Sequence, residues 1–127
     1  MSENAEVLIL DDEAIVCERL GEHLVKKGYR VETFTASEEA LARLAAKAFD
    51  VVVTDIKMKG PTGLEVLRWV REHSPRTQVI MITGYASLET ANEAEVVGAF
   101  GFVCKPFQLE EVHALVKRAA RKARKGR

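Results

Sequence analysis

Short continuous apolar runs alternate along the chain with longer segments in which apolar residues recur every three or four positions. The short runs are typical of buried strands, and the longer segments are typical of amphipathic helices. Five such pairs follow one another, and the predicted strands cover residues 7–10, 30–34, 51–54, 78–82 and 101–104. Strands that alternate with helices in this way predict a parallel sheet.

The connections in such a sheet determine where its helices lie. Crossovers between parallel strands are right-handed in nearly all proteins, so helices must cover both faces. We therefore predict an α/β fold, a doubly wound five-stranded parallel sheet in a three-layer α/β/α sandwich. Three strands with continuous apolar runs should be buried on both faces, whereas 30–34 alternates and suits an edge of the sheet.

Capping residues mark several helix boundaries. The first helix should end at Gly28, since glycine suits the left-handed C′ position. Thr62 and Glu65 have the spacing of a capping box at the start of the third helix. Ser87 is the predicted N-cap of the fourth helix, which should end before Gly98.

The remaining helices are predicted from their apolar stripes. The second helix should begin at Ser37 and bury Leu41, Leu44 and Ala45. The fifth helix should follow Pro106 and continue into the basic residues at the end of the chain.

The composition is that of an ordinary globular domain. The 127 residues are 47% hydrophobic and 30% charged, which fits one domain with one core. No apolar run approaches the roughly 20 residues that span a bilayer, and residues 1–6 lack the apolar core of a signal peptide. We therefore predict a cytoplasmic protein that does not bind membranes.

The cysteines and histidines form no metal-binding pattern in the sequence. Cys17 and Cys104 match neither a C-x-x-C motif nor a zinc spacing, so we predict buried free thiols in a reducing compartment. The histidines, His23, His73 and His113, are equally isolated along the chain. We interpret each of them as an ordinary residue at a helix surface or boundary.

Charge is unevenly distributed although the formal net charge is zero. Residues 1–116 carry 12 basic and 19 acidic residues, a formal charge of −7, and residues 117–127 carry seven basic residues and no acidic one. Such a segment can attract nucleic acid or an acidic partner, but we favour a solvated helix end, where cations suit the macrodipole. We assign residues 1–122 to the domain and 123–127 to a basic tail.

Polar side chains follow four of the predicted strands, at the edge where ligands bind in doubly wound folds. They are Asp11, Asp12, Glu13, Asp55, Thr83 and Lys105. Each of them alone could be a turn residue or a helix cap. Two carboxylates about 4 Å apart repel by about 4 kcal/mol at an effective dielectric constant of about 20, so converging acids require a cation or raised pKa values. The combination predicts a metal site.

The residue types at this edge favour phosphate chemistry. Carboxylate oxygens without nearby histidine or cysteine ligands are typical of Mg²⁺ or Mn²⁺ sites. Lys105 adds a fixed positive charge and Thr83 a hydrogen-bond donor, and both suit phosphoryl oxygens. One carboxylate can then act as the nucleophile and form an aspartyl phosphate. The spacing does not say which aspartate attacks.

Four segments carry a resemblance to a known family: LILDDE at 8–13, VVVTDI at 51–56, MITG at 81–84 and KPF at 105–107. With them the chain resembles a bacterial response-regulator receiver domain over about residues 6–122. The resemblance implies the flavodoxin-like or CheY-like strand order 2-1-3-4-5. It also implies a domain of a two-component phosphorelay that accepts a phosphoryl group from a sensor histidine kinase or a phosphotransfer protein.

The resemblance assigns roles to residues around the metal. Asp55 matches the phosphoacceptor. The family's ligands of Mg²⁺, with Mn²⁺ as an alternative, match Asp11, Asp12, Asp55 and the main-chain carbonyl of Lys57. The family is not a classical enzyme, but it assists its own Mg²⁺-dependent phosphorylation and dephosphorylation.

Further roles are implied for the side chains beside the acceptor. Thr83 and Lys105 match the residues that contact the phosphoryl group. Thr83 and Phe102 match the pair that switches between two arrangements. Lys57 and Tyr85 match positions that tune dephosphorylation.

The chain departs from the family after the acceptor, where Lys59 replaces the usual proline of Ile-x-Met-Pro and Pro61 follows. The resemblance implies a cis peptide bond between Lys105 and Pro106. The pattern is most similar to NtrC-type receivers, which precede an ATPase and a DNA-binding domain. DNA binding would then need a domain absent from this chain, and both a stand-alone regulator and a fragment fit the sequence. An output partner or a second copy would bind at the fourth helix, fifth strand and fifth helix.

Three other functions are compatible with parts of the pattern. An FMN-binding electron carrier has the same fold, but the acids at 11–13 would repel its phosphate. A hydrolase of the haloacid dehalogenase type needs a second aspartate two residues after the nucleophile, where this chain has Lys57. A pseudo-receiver would bind partners without phosphorylation, although this chain retains all five expected site residues.

Overall fold

The computed structural model describes residues 5–58, 60–84 and 88–125, without the side chains of 88–91. Strands and helices alternate throughout. Their bounds are β1 Glu6–Leu10, α1 Ala14–Lys26, β2 Arg30–Phe34, α2 Ser37–Ala46, β3 Val51–Asp55, α3 Gly63–His73, β4 Gln78–Thr83, α4 Leu88–Val97, β5 Gly101–Cys104 and α5 Leu109–Lys125. None of the helices in the described ranges is long and apolar enough to cross a bilayer.

All five strands are parallel and lie in the order β2-β1-β3-β4-β5. The predicted fold class and strand order are therefore confirmed. The chain moves from β1 outward to β2 and then crosses to β3 on the other side of β1. The strand order reverses between β1 and β3, so the loops that leave these two strands diverge at their carboxyl ends.

The burial of each strand follows its place in the sheet. Every residue of β3 and β4 is buried, and β1 is buried after Glu6. No residue of the edge strand β2 is buried. The predictions of apolar central strands and of an edge strand at 30–34 are confirmed.

The side chains of β1 alternate between two hydrophobic cores. Val7 and Ile9 pack with buried residues of α1 and α5, whereas Leu8 and Leu10 pack with residues of α2, α3 and α4. Each such side chain contributes about 1.5–3 kcal/mol when it is fully buried. Helices therefore cover both faces of the sheet, as the three-layer prediction requires.

Local capping signals placed most helix ends correctly. Gly28 follows α1 with φ of 99°, in the left-handed region. The Thr62 side chain accepts from the main-chain N–H of Glu65, and the Glu65 side chain accepts from the N–H of Thr62, which is the predicted capping box. The fourth helix ends before Gly98, as predicted. Ser87, its predicted N-cap, lies outside the described residues.

Two predictions of burial are wrong. Ala45 is exposed, and Ala40 is buried together with Leu44. A spacing of four keeps Ala40 and Leu44 on one face of α2, so the buried stripe includes an earlier position than predicted. Cys17 is buried as predicted, but Cys104 is exposed at the end of the edge strand β5.

The carboxyl end of α5 contacts the sheet edge opposite the predicted site. Residues 123–125, the described part of the basic tail, form the last turn of α5, and Ala123 is buried. Arg76 and Arg124 each approach the buried carboxylate of Asp50 to 3.5 Å. Because Asp50 directly precedes β3, the ion pair of Arg124 connects α5 to the amino ends of the strands.

Candidate functional site

The carboxyl ends of β1 and β3 bring four acidic side chains together. Asp55 is the last residue of β3, and three acids follow β1 across the point where strand order reverses. Carboxylate oxygens of Asp11, Asp12, Glu13 and Asp55 all lie within 4.8 Å of one another. Asp11 and Asp55 are buried, whereas Asp12 and Glu13 are exposed. We call these four residues the acidic cluster.

Lys105 enters the acidic cluster from the end of β5. Its Nζ lies 2.9 Å from Oδ2 of Asp11, 2.8 Å from Oε1 of Glu13 and 3.0 Å from Oδ2 of Asp55. One ammonium group thus bridges acids that follow two different strands. The convergence of acids and lysine that the strand ends predict is observed.

Burial and charge have opposite effects on the titration of this cluster. Asp11 has no exposed surface, and burial raises its pKa despite hydrogen bonding from Glu13 and the nearby ammonium group of Lys105. Burial would lower the pKa of Lys105, but its contacts with the carboxylates of Glu13, Asp11 and Asp55 outweigh burial and raise it. Lys105 therefore stays charged at neutral pH.

Main-chain donors orient the two buried acids. The N–H of Glu13 donates to Oδ1 of Asp11 over 2.8 Å, and the N–H of Lys57 donates to Oδ1 of Asp55 over 3.2 Å. In both carboxylates the other oxygen, Oδ2, lies against Lys105. The backbone of two loops therefore holds the carboxylates in a common orientation.

The acidic cluster fits a divalent cation held by oxygen. Four carboxylates and one ammonium group leave a formal charge of −3. The buried Oδ2 of Asp11 has the ion pair with Lys105 but no aligned hydrogen bond among the described residues. Hard oxygen donors with excess negative charge favour Mg²⁺. Receiver domains generally use Mg²⁺, and this chain offers the oxygen donors for it.

The ends of β4 and β5 are joined beside the cluster. Thr83 is buried at the end of β4, and its main-chain carbonyl accepts the N–H of Lys105 over 2.7 Å. The Lys105–Pro106 peptide bond is cis, as predicted. Lys57 is exposed, and Tyr85 lies outside the described residues.

Phe102 lies in β5, two residues before the carboxyl end of the strand. It pairs in register with Met81 of β4 and is partly buried against the core that includes Ala94 of α4. A cavity of about 360 Å³ opens beside it between α4 and β5, lined in part by Glu95 and Phe100. The ring therefore has open space near it in this structure.

Two residues that shape the site, Glu13 and Gly63, were given no specific role by the resemblance. Glu13 contacts Lys105, which is 92 positions away. Gly63 begins α3 so close to β3 that a Cβ atom there would collide with the main chain of Asp55. Glycine is unfavourable inside helices, and its occurrence at the start of α3 is the signal that could have indicated a close approach.

The histidines are not all isolated in space. His23 of α1 and His113 of α5 have ring centroids 6.0 Å apart, and both contact Glu110. His73 stacks on Trp69 at a centroid distance of 4.3 Å. All three histidines lie on helices, as predicted, but His23 and His113, which are isolated in the sequence, meet in space because α1 and α5 pack side by side.

Solved structures share this fold at high similarity. A CheY-like response regulator receiver domain protein from Methanospirillum hungatei gives a TM-score of 0.92 at 28% identity, covering 98% of this chain and 100% of that chain. Chemotaxis protein CheY4 of Vibrio cholerae gives 0.85 at 35% identity, covering 91% and 98%. The beryllofluoride-activated NtrC4 receiver domain dimer gives 0.88 at 33% identity, covering 93% and 98%. The fold is that of CheY-like receivers.

The sequence pattern of the response regulator receiver domain matches residues 7–117, and the chain belongs to this family. It is a receiver domain of the two-component response regulators, whose function is phosphorylation-dependent switching. Regulatory protein AtoC of Escherichia coli is 40% identical over 113 residues, and the DNA-binding transcriptional regulator NtrC of Salmonella typhimurium is 37% identical over 113 residues. Each match covers 89% of this chain and 24% of the relative, so the chain spans about a quarter of these curated relatives.

Proposed function

We propose that Asp55 is the phosphoacceptor of this receiver domain and that a sensor histidine kinase or a phosphotransfer protein supplies the phosphoryl group. The observation that carries this proposal is the position of Asp55 between the acids that follow β1 and the ammonium group of Lys105. Its Oδ2 lies 3.0 Å from Nζ of Lys105, and its side chain is 9% exposed. A donor would approach it at the carboxyl edge of the sheet, where β3 ends.

Transfer to Asp55 exchanges one bond to phosphorus for another. A carboxylate oxygen forms a bond to phosphorus while the phosphorus–nitrogen bond of the donor phosphohistidine breaks. The imidazole leaves with the electron pair and takes up a proton from water. Lys105 then lies beside the new phosphoryl oxygens and offsets their charge. When bound by Asp11, Asp12, Asp55 and the main-chain carbonyl of Lys57, Mg²⁺ supplies further neutralisation of that charge.

Intact mass after incubation with a small phosphodonor, such as an acyl phosphate, tests the proposed function. We expect one added phosphoryl group that requires Mg²⁺ and is removed by hydroxylamine, because an acyl phosphate is the product. A protein that stays unmodified while Mg²⁺ is bound would instead be a pseudo-receiver. Continuous turnover of a phosphate ester would point to a hydrolase.

Replacing Asp12 with alanine should weaken Mg²⁺ binding by about tenfold or more, since the metal loses a carboxylate from an exposed position of the acidic cluster. Isothermal titration with Mg²⁺ measures the dissociation constant. Glu22→Ala is a matched control, because Glu22 is an exposed acid on α1 outside the cluster. Equal dissociation constants for Asp12→Ala and Glu22→Ala would remove Asp12 from the ligand set.

We propose that Thr83 and Phe102 couple the acceptor to the surface of α4, β5 and α5. A phosphoryl group adds about −1.5 to −2 charge. Thr83 would turn toward it, and Phe102 would rotate inward from its partly buried position into the space that this movement opens. The coupling operates only if the phosphoryl group favours one of the two arrangements.

Backbone NMR shifts recorded with and without a beryllofluoride phosphoryl mimic test this switch. We expect changes that extend from Thr83 across residues 92–116, because those residues form the coupled surface. The Thr83→Ala variant should bind the mimic but lose the distant changes. A saturated site without perturbation of 92–116 in the unaltered protein would contradict the switch.

The same surface would recruit an output partner or a second copy of the chain. A second copy is supported by the activated NtrC4 receiver, which is a dimer. DNA binding would reside in another domain, since NtrC is a DNA-binding regulator of which the match covers 24%. We further propose that the domain works in the cytoplasm and that Lys57 and Tyr85 tune the lifetime of the phosphoryl group.

A further inference from the structure

A second cluster of metal-ligating side chains lies between α1 and α5, formed by His23, Glu110 and His113. Nε2 of His23 lies 2.8 Å from Oε2 of Glu110, and Nδ1 of His113 lies 3.2 Å from Oε1 of Glu110. Ligand atoms from all three residues lie within 4.8 Å of one another. His23 belongs to the last turn of α1, and Glu110 belongs to the first turn of α5.

The spacing of these atoms suits a tetrahedral ion. Zinc binds imidazole nitrogen and carboxylate oxygen at about 2.0–2.2 Å, so two ligand atoms of a tetrahedral site lie about 3.3 Å apart. Nε2 of His23 and Nδ1 of His113 lie 2.8 and 3.2 Å from different oxygens of Glu110, so each imidazole is near this spacing from the carboxylate. One ligand atom from each of the three residues lies within 4.8 Å of the others. Glu110 and His113 are three positions apart on α5 and therefore project from one face.

The surroundings of the histidines support a ligand role. The side chains of His23 and His113 are 20% and 17% exposed and that of Glu110 is 62% exposed, so solvent reaches the cluster. Nε2 of His23 is buried and has no aligned hydrogen bond among the described residues, although Glu110 is near. Tyr29, which is 3% exposed, packs edge-on to the ring of His113 at 5.8 Å.

We propose that His23, Glu110 and His113 form a Zn²⁺ site, separate from the acidic cluster, in which water occupies the fourth position. Two imidazoles and a carboxylate are ligands that zinc favours over magnesium. Occupied, the site ties the carboxyl end of α1 to the amino end of α5. It thereby restricts the movement of α5, which forms part of the surface proposed to bind an output partner or a second copy.

Lys27 competes with the metal in this arrangement. Its Nζ lies 3.2 Å from Oε2 of Glu110, and its side chain is 41% exposed. Zinc binding requires this flexible side chain to withdraw into solvent. Removing the ammonium group should therefore strengthen zinc binding, whereas a merely structural cluster of ion pairs would lose a contact.

Isothermal titration with Zn²⁺ in saturating Mg²⁺ tests the proposal. The protein should carry Cys104→Ser, which removes the exposed thiol as a competing ligand, while saturating Mg²⁺ occupies the acidic cluster. We expect one equivalent of zinc, with affinity lowered tenfold or more by His23→Gln or by His113→Gln. Lys27→Gln should raise the affinity severalfold.

His73→Gln is the matched control, because His73 stacks on Trp69 away from the cluster. It should leave the zinc affinity unchanged. Imidazole ¹⁵N NMR of the unaltered histidines gives a second readout that does not depend on variants folding. Zinc should shift the ring nitrogens of His23 and His113 and leave those of His73 in place. Absence of these shifts, or affinities within twofold for both ligand variants, would overturn the proposal.

Discussion

Asparagine at position 55 is expected to abolish phosphorylation while the domain remains folded. The amide presents no anionic oxygen to attack phosphorus, although it keeps nearly the same size and shape. Lys105 retains Asp11 and Glu13 as partners, so the loss of one carboxylate does not leave its charge unpaired. Removing one of four clustered acids also relieves repulsion, which favours the folded state.

Intact mass with Mg²⁺ and an acyl phosphate measures this effect, and circular dichroism checks folding. Asp50→Asn is the matched control, since Asp50 is a buried aspartate beside the opposite end of the same strand. The five residues of β3 place the two carboxylates roughly 15 Å or more apart. Asp50→Asn should keep the phosphoryl adduct. An adduct in Asp55→Asn at the unaltered rate would disprove the assignment.

Gly63→Ala is expected to be the most damaging conservative change in the described part of the chain. The added Cβ would collide with the carbonyl oxygen of Asp55 and would lie 2.8 Å from Cα of Ile56. Both obstacles are main chain, so no rotamer change relieves them. Overpacking of this kind costs about 1–3 kcal/mol or more, which exceeds the gain of up to about 1 kcal/mol from alanine's helix propensity.

Urea unfolding measures the free energy of unfolding of this variant, and the phosphorylation rate of the folded fraction measures displacement of Asp55. We expect both to fall. Gly84→Ala is the matched control, because no described atom lies within 4 Å of its added Cβ. It should change the free energy of unfolding by less than about 0.5 kcal/mol. Equal stability of Gly63→Ala and Gly84→Ala would show that α3 shifts without cost.

The architecture was predictable because its signals are local. The apolar runs in β3 and β4 are buried on both faces, and the half-polar pattern of β2 matches an edge. The capping box of Thr62 and Glu65 and the left-handed Gly28 each involve residues within one turn. A parallel sheet with right-handed crossovers then leaves few topologies open.

The acidic cluster was predictable for a related reason. Asp11, Asp55 and Lys105 directly follow or end strands, and the carboxyl ends of parallel strands meet at one edge. The fold class alone therefore brought these side chains together. Which aspartate accepts the phosphoryl group came from the resemblance to receiver domains, because geometry gives Asp11 and Asp55 similar contacts with Lys105.

By itself, the sequence determined the alternation of strands and helices, the parallel sheet and the edge at which acids and a lysine collect. Only the tertiary structure decided which side chains on different helices meet. The contact between His23 and Glu110 depends on α1 and α5 lying side by side, and the need for glycine at Gly63 depends on how closely α3 approaches β3. The physical reason is that periodicity sets which face of an element is apolar, whereas packing between elements sets rotation and distance.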